Sequence, residues 1–209
     1  MKPEKILCVE TAIADRALGA TGFIPIERVD TAALLLSDNL WFAPRRLVEE
    51  REDFRQIIPY VMLRHGDSVN LYERTPKGGE RRLHGLLSIG FGGHVRLPDA
   101  VLAGSCLDVA ATLLRATHRE LDEEVRYASV DDRRIVGVIF DDADAVSRVH
   151  LGIAEMWTLV EPFVARAEAA VRECRFVSIS DLEQHADRME RWSQLCTMFL
   201  TGVLERCKS

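Results

Sequence analysis

The segment Arg119-Glu120-Leu121-Asp122-Glu123-Glu124-Val125 constrains this chain most, because it predicts an amphipathic helix with acids at the border of its buried face. At roughly 100° per residue, Glu120, Glu123 and Glu124 fall within one sector of a helical wheel. That sector flanks an apolar stripe, whose members are Ala110, Leu113, Leu114, Thr117, Leu121 and Val125. Clustered carboxylates repel one another unless they share a positive partner, and a hard divalent cation would provide one. A salt-bridged surface helix is the alternative, and the segment alone leaves both interpretations open.

A glycine pair, Gly92-Gly93, and a distant acid precede this helix. Gly93 is followed by five residues and then by Asp99, and 19 residues separate Asp99 from Arg119. With residues 119–127, this order resembles the signature of the Nudix hydrolase family: a glycine, five residues, an acid, a spacer, and then Arg-Glu-aliphatic-x-Glu-Glu-x-Gly-aliphatic. Four other segments resemble a Nudix subgroup of predicted phosphoesterases with an extended N-terminal region and a lengthened signature. They are residues 56–61, 82–84, 88–95 and 190–194.

The signature departs from the family pattern at three places. Asp99 stands where the family prefers glutamate, and the spacer exceeds the usual seven residues by twelve. We expect this longer spacer to be a loop followed by an earlier helix start, with Asp108 as the N-cap residue. Arg126 occupies the position of the glycine that ends the helix, which puts the usual tight turn in doubt because other residues disfavour positive φ.

The resemblance implies an α/β fold, a Nudix-type α/β/α sandwich with a mixed β-sheet between the signature helix and a C-terminal helix. Apolar alternation and turn residues independently predict strands and helices in a similar order. We interpret residues 1–55 as an N-terminal extension packed on the core and residues 56–209 as the Nudix domain. The predicted strands are 6–9, 57–64, 68–74, 83–91, 134–140 and 149–160; the predicted helices are 107–126 and one or two from a Ser180 cap to Leu204.

The resemblance also implies a metal site that holds Mg²⁺ or Mn²⁺. Glu120, Glu123 and Glu124 would be its ligands, joined by the backbone carbonyl of Gly93, and Glu123 and Glu124 would be catalytic. Gly92 would support the site by letting the backbone approach closely. Arg119 lies beside Glu123 at i+4 on the wheel and would hold that carboxylate in place.

Glu155 is a further candidate for a catalytic role. It interrupts an otherwise apolar predicted strand, where a carboxylate needs either a partner or an exposed face. Nudix enzymes often recruit a glutamate from outside the signature as a ligand or general base, whereas an outward-facing strand residue is the alternative. His94 and His150 could assist, although single histidines are usually surface or packing residues. Candidate phosphate contacts are Arg45, Arg46, Lys77, Arg81 and Arg82.

Composition narrows the protein class. The formal net charge of −6 argues against a general nucleic-acid-binding surface, and no apolar run is long enough to cross a membrane. The five cysteines are scattered without a CxxC pair, which predicts reduced thiols in a cytoplasmic protein. The Nudix resemblance implies a small diphosphate-containing substrate as the partner, and a homodimer is a possible assembly.

Two alternatives keep part of this interpretation. An isopentenyl-diphosphate isomerase has a similar scaffold and uses a cysteine and a glutamate. Here Cys106 falls inside the inserted spacer, which disfavours that chemistry. A non-catalytic regulatory module with a degenerate signature is the second alternative. Asp99 and Arg126 favour it slightly, whereas the intact acid triplet opposes it.

Overall fold

A computed structural model describes residues 4–75, 83–167 and 171–208, with side chains as far as residue 202. The α-helices of these described parts are α1 (Thr11–Leu18), α2 (Thr31–Leu34), α3 (Val109–Glu124) and α4 (Arg191–Lys208). Their strands are β1 (Lys5–Glu10), β2 (Gly22–Pro25), β3 (Leu40–Pro44), β4 (Phe54–His65), β5 (Ser68–Arg74), β6 (Leu87–Ser88), β7 (Gly90–Gly92), β8 (Leu102–Ala103), β9 (Cys106–Leu107), β10 (Val125–Tyr127), β11 (Val130–Phe140), β12 (His150–Leu159), β13 (Val164–Arg166) and β14 (Val171–Ser178).

One large sheet dominates the described part of the chain. It contains ten of the described strands, and its main path runs β14-β5-β4-β12-β11-β2. Four other strands join it: β1 pairs with both β3 and β4, β6 pairs with β5, and β7 pairs with β4. The predicted α/β class, with a large mixed sheet and helices, is confirmed.

The chain divides into two compact units. Unit 1 comprises Met1–Tyr60, Gly92–Arg119 and Ile135–Ala154; unit 2 comprises Val61–Phe91, Glu120–Arg134 and Glu155–Ser209. The division falls inside β4, β7, β11, β12 and α3, so each of these elements contributes residues to both units. Residues 1–55, the predicted extension, belong entirely to unit 1, and their separate status stays a prediction.

Strand β1 belongs to unit 1, and both of its faces are buried. Its successive side chains point to opposite faces, so they enter two different clusters. Leu7 and Val9 join the larger core with Leu113 and Ala116 of α3. Ile6 and Cys8 point to the opposite face, where they pack with Ala43 and Val48. This double burial accounts for the continuous apolar run that predicted a strand at residues 6–9.

Unit 2 has a core of its own at the C-terminal end of α3. Leu121 and Val125 are completely buried there with aliphatic and aromatic side chains of the strands. Tyr72 and Phe91 stack with ring centroids 4.5 Å apart. The Glu190 carboxylate accepts a hydrogen bond from the Trp192 backbone N–H at 3.1 Å and so caps α4.

Local sequence signals predicted several elements well. The predicted hairpin of β4 and β5 is confirmed, but its loop has two residues rather than the predicted 65–67 turn, and Gly66 there takes a positive φ of 55°. The predicted cap at Ser180 is wrong, because a 3₁₀ helix spans Ile179–Arg188 and α4 begins later. The predicted strand at 83–91 is formed only in its second half, as β6 and β7.

Candidate active site

The long spacer before α3 folds as a short hairpin. β8 and β9 pair antiparallel, with Leu102 opposite Leu107, and Gly104 supplies the positive φ in the turn. The Asp108 side chain then accepts a hydrogen bond from the Ala111 backbone N–H at 3.0 Å, which confirms it as the N-cap. The additional residues therefore form a defined structure and leave the helix start intact.

Arg119 connects the two halves of the signature. Its Nε donates to Asp99 Oδ1 at 3.0 Å, and its Nη2 donates to Asp99 Oδ2 and to the carbonyl oxygen of His94, both at 2.9 Å. Asp99 is only 3% exposed and also accepts the Arg96 backbone N–H at 2.8 Å. Such a two-pronged contact fixes orientation as well as charge. We call the Arg119–Asp99–His94 contacts the latch; the predicted orientation of Glu123 by Arg119 stays a prediction.

Gly92 is required by a close approach between strands. A Cβ atom at this position would lie 2.4 Å from the carbonyl oxygen of Pro59 and 3.2 Å from Ile58 Cγ2. The first distance is far below van der Waals contact, so any side chain would displace β7 from β4. The close approach that Gly92 permits is to β4; its predicted support of the metal site and the predicted role of the Gly93 carbonyl as a ligand stay predictions.

The three signature acids differ in their surroundings. Glu120 is buried at 8% exposure, Glu124 is half-buried and Glu123 is exposed. Burial, together with a smaller contribution from the Glu124 carboxylate, raises the pKa of the Cys174 thiol to about 11. Glu124 therefore lies close enough to Cys174 for its negative charge to influence the pKa of that thiol. The helix consequently presents one acid to its core, one at the border and one to solvent.

The helix α3 ends without the glycine that the family signature has at the position of Arg126. The helix runs directly into β10, and among the described residues other than glycine only Glu173 has a positive φ. Arg126 Nη1 instead donates to the carbonyl oxygens of Asp122 at 2.6 Å and Val125 at 3.1 Å. A cationic side chain thus satisfies the Asp122 carbonyl in the last turn of the helix and the Val125 carbonyl just after it, a role that a glycine turn would otherwise fill.

Glu155 is buried, at 7% exposure, so the alternative of an outward-facing strand residue is wrong. Its Oε2 accepts a hydrogen bond from Trp157 Nε1 at 2.8 Å, as residues two apart on one strand face permit. The Arg133 guanidinium lies 4.5 Å from the centre of the Trp157 ring. The Trp157 indole therefore orients the Glu155 carboxylate, and the Arg133 guanidinium in turn contacts the Trp157 ring.

Three polar side chains that sequence patterns do not connect meet in unit 1. His94 Nε2 lies 2.9 Å from Gln56 Oε1, and His150 Nε2 lies 3.3 Å from His94 Nε2. Burial, with smaller contributions from the positive charges of His150 and of three arginines, lowers the pKa of His94 to about 3; the arginines are Arg45, Arg96 and Arg119. We call Gln56, His94 and His150 the histidine cluster.

The candidate phosphate contacts give little support to a shared anion site. Arg45 binds Glu4 at 3.2 Å and Glu49 at 3.4 Å, and Arg46 is exposed. Lys77, Arg81 and Arg82 lie outside the described residues. Cys106, the candidate for isomerase chemistry, is exposed in the β8–β9 hairpin.

The signature acids suit a hard cation by chemistry. Glu120, Glu123 and Glu124 offer only carboxylate oxygens, the ligands that Mg²⁺ and Mn²⁺ prefer. Within the described ranges, however, no three His, Cys, Asp or Glu side chains are already gathered around a common point that could hold a metal ion. Binding would therefore require the side chains on the exposed and half-buried positions to turn inward.

Comparison with known proteins decides the family. No protein-family model matches the sequence. Protein YmaB of Bacillus subtilis (strain 168) is 38% identical over 164 residues, which are 75% of this chain and 74% of YmaB. The crystal structure of Tm1382, described as a candidate Nudix hydrolase, superposes with a TM-score of 0.78 at 30% identity, covering 96% of this chain and 100% of Tm1382.

The chain belongs to the Nudix hydrolase family.

Membership sets the general activity. The protein is an enzyme, a diphosphate hydrolase of the Nudix kind, which confirms the predicted class. Among the helices in the described part of the chain, none is long and apolar enough to cross a membrane.

Proposed function

We propose that this Nudix hydrolase requires Mg²⁺ or Mn²⁺ and cleaves the diphosphate linkage of a small nucleotide-like or other diphosphate substrate. A net charge of −6 disfavours an extended polyanionic substrate. It leaves room for a compact one whose charge is neutralised locally by a cation.

The observation that carries this proposal is the burial of two acids in unit 2. Glu120 and Glu155 are 8% and 7% exposed, respectively, and the half-buried Glu124 belongs to the same unit. Ionised carboxylates are costly to remove from water, and a cation that several of them share offsets that cost. The placement of acids at the buried border of α3 is thus better explained by cation binding than by a solvated helix face.

In the proposed mechanism, the signature acids hold the cation. Glu120 is positioned by the core of unit 2, whereas Glu123 and Glu124 complete the ligand set from less buried positions. When bound, the cation supplies charge neutralisation on the diphosphate and polarises a phosphoryl oxygen. Exposure of Glu123 lets it reach the cation without displacing packed side chains.

Glu155 accepts the proton of the attacking water in this proposal. The Trp157 indole N–H holds Oε2 at 2.8 Å, so the carboxylate has a fixed orientation, and Oε1 is the atom to which we assign the proton. A positioned general base of this kind contributes about 10²–10⁴-fold to rate. The buried environment also restricts access by bulk water.

A release assay for phosphate and pyrophosphate tests the proposal. The substrates are nucleoside diphosphate sugars, dinucleotide cofactors, nucleoside triphosphates and prenyl diphosphates, each with Mg²⁺, with Mn²⁺ and with chelator. We expect turnover of at least one class, abolished by the chelator. Undiminished turnover in chelator would contradict metal dependence.

Matched variants then test the acids. Glu124→Gln should lower turnover by at least about 100-fold, because inner ligands matter more than outer partners, which contribute 10–100-fold. Asp122→Asn is the control, since Asp122 is an exposed acid on the same helix. Equal effects of the two substitutions would show that general surface charge, rather than cation binding, is responsible.

A further inference from the structure

Arg133 is an exposed residue whose guanidinium lies over a buried ring. The guanidinium carbon is 4.5 Å from the centre of the Trp157 ring, and the Trp157 side chain is 0% exposed. Both residues belong to unit 2, on strands β11 and β12, which are neighbours in the sheet. The negative face of an indole attracts a guanidinium at this distance. Arg133 therefore contacts a residue of the core although it starts from the surface.

The neighbouring charges show that this contact depends on the strand face. Asp131 and Asp132 precede Arg133, and Arg134 follows it. Arg134 Nε lies 4.0 Å from Asp132 Oδ2, whereas the Arg133 guanidinium lies over Trp157. Successive side chains of a strand point to opposite faces. Two adjacent arginines thus have different surroundings, one beside an exposed acid and the other on the indole.

The indole connects Arg133 to the Glu155 carboxylate. Trp157 Nε1 donates to Glu155 Oε2 at 2.8 Å, and Glu155 is 7% exposed. The Tyr127 ring meets the Trp157 ring edge-on, with centroids 6.3 Å apart. Burial and the charge of Asp122 raise the pKa of Tyr127, and the positive charge of Arg133 partly offsets that rise. A cation and an aromatic side chain therefore both lie against the ring that holds Glu155.

A cation over an indole affects the N–H of that ring in two ways. It restricts the orientation of the ring, and hence the direction in which the N–H points. It also draws electron density from the ring, which makes the N–H a stronger donor. A hydrogen bond to an ionised carboxylate is already stronger than a neutral one, and linked polar contacts polarise one another. Loss of the Arg133 charge would therefore loosen the Glu155 carboxylate without any direct contact between the two side chains.

We propose that Arg133 is a positioning residue for Glu155 and acts through the Trp157 ring. The inference rests on the proposed role of Glu155 as the general base. In that role Oε1 accepts the proton of the attacking water, while the indole holds Oε2. A general base must lie within hydrogen-bond reach of the proton that it accepts, so a less firmly held carboxylate reacts more slowly. Arg133 does not touch the substrate in this assignment, and its effect belongs to kcat rather than to KM.

Steady-state kinetics of matched variants test the assignment. Arg133→Gln should lower kcat by about 3–30-fold with KM unchanged, the range that corresponds to a cation–π contact. Arg133→Lys keeps a cation over the ring and should retain most of the activity. Arg134→Gln is the control, because it removes the same charge from the next residue on the opposite face, and it should change kcat by less than about twofold. A rise in KM with kcat unchanged, or equal losses in the two glutamine variants, would overturn the proposal.

A double variant tests whether Arg133 acts through Glu155. In the Glu155→Gln background, Arg133→Gln should cause no further loss of the residual turnover, because the carboxylate that Arg133 positions is absent. A loss by the same factor as in the wild-type background would overturn the proposal, since Arg133 would then support activity by another route.

The indole N–H signal of Trp157 in nitrogen-15 NMR gives a readout that needs no activity. The protein has three tryptophans, so the signal can be assigned with Trp157→Phe or by elimination with Trp41→Phe and Trp192→Phe. Arg133→Gln should shift this signal and speed its exchange with solvent by at least about threefold, whereas Arg133→Lys and Arg134→Gln should leave it nearly unchanged. An unchanged signal in Arg133→Gln would overturn the inference. A shifted signal together with unchanged kcat in Glu155→Gln would instead overturn the proposed general-base role.

Discussion

The latch makes a quantitative prediction about stability and activity. Asp99 and Arg119 form a two-pronged pair whose side chains are 4% and 22% exposed, respectively. Arg119→Ala leaves the Asp99 carboxylate buried without this partner. Asp99→Asn keeps the shape and an acceptor oxygen for the Arg96 N–H while it removes the negative charge.

The magnitude follows from burial. Breaking a buried ion pair by removing one partner costs about 3–5 kcal/mol. Because Arg119 is partly exposed, we expect Arg119→Ala to fall at the lower end, about 3 kcal/mol. Asp99→Asn removes the charge from hydrogen bonds worth about 1.5–3 kcal/mol. For a chain of this size, a loss of about 3 kcal/mol lowers the thermal midpoint by roughly 6–12 °C.

Urea unfolding of both single variants and the double variant measures the coupling. We expect a coupling free energy of about 2 kcal/mol, because each partner loses most of its value without the other. Glu52→Gln is the control: it removes a single 2.9 Å contact to Arg148 on the surface and should cost less than about 1 kcal/mol. Additivity of the two latch substitutions within about 0.5 kcal/mol would refute the reasoning.

Turnover of Arg119→Ala should fall through kcat, since the latch positions the segment after Gly93; a rise in KM alone would place Arg119 on the substrate.

Three further predictions concern the acids and a buried thiol. Glu123→Gln and Glu124→Gln should each weaken Mn²⁺ binding in calorimetric titration, and unchanged affinity in both would remove them from the cation site. Glu155→Gln should lower kcat by about 10²–10⁴-fold with little change in thermal midpoint, whereas a change below about threefold would exclude a general-base role. Burial raises the pKa of Cys8 from 9.0 to about 12. The unfolded thiol therefore ionises first, and between pH 9 and 12 the wild type should lose up to about 1.4 kcal/mol more stability per pH unit than Cys8→Ala. Equal slopes in urea unfolding would contradict that assignment.

Local patterns predicted the elements whose stability is decided locally. The β4–β5 hairpin has a turn that requires Gly66, and α3 has an apolar stripe and an Asp108 cap that can be recognised without tertiary information. The short strands β10 and β13 escaped prediction, because each has three residues and is fixed by pairing with the other. Their register depends on residues about forty positions away, which no local periodicity reports.

The candidate site could be predicted only where its residues lie close together in the sequence, on one element. The signature acids share a helix, so their proximity is implied by the helical period. The histidine cluster combines residues 38 and 56 positions apart, brought together by the sheet. Glu155 was recognised as unusual from its apolar neighbours, but its burial depended on strand register, which a one-residue shift would reverse.

The β8–β9 hairpin enters and leaves between two fixed points: Asp99 is tied to Arg119 by the latch, and the Val101 N–H donates to Thr112 Oγ1 at 3.0 Å. Chain length between these anchors is consequently uncoupled from the geometry that they maintain. Doubling the length of a flexible loop costs only about 0.6 kcal/mol in closure entropy, much less than the latch contributes. The hairpin can therefore lengthen, shorten or accept a foreign sequence during evolution or engineering. The start of α3, and with it the position of the acids on that helix, would stay unchanged. The sequence at the exposed tip of the β8–β9 hairpin can therefore change without altering the Asp99–Arg119 contact.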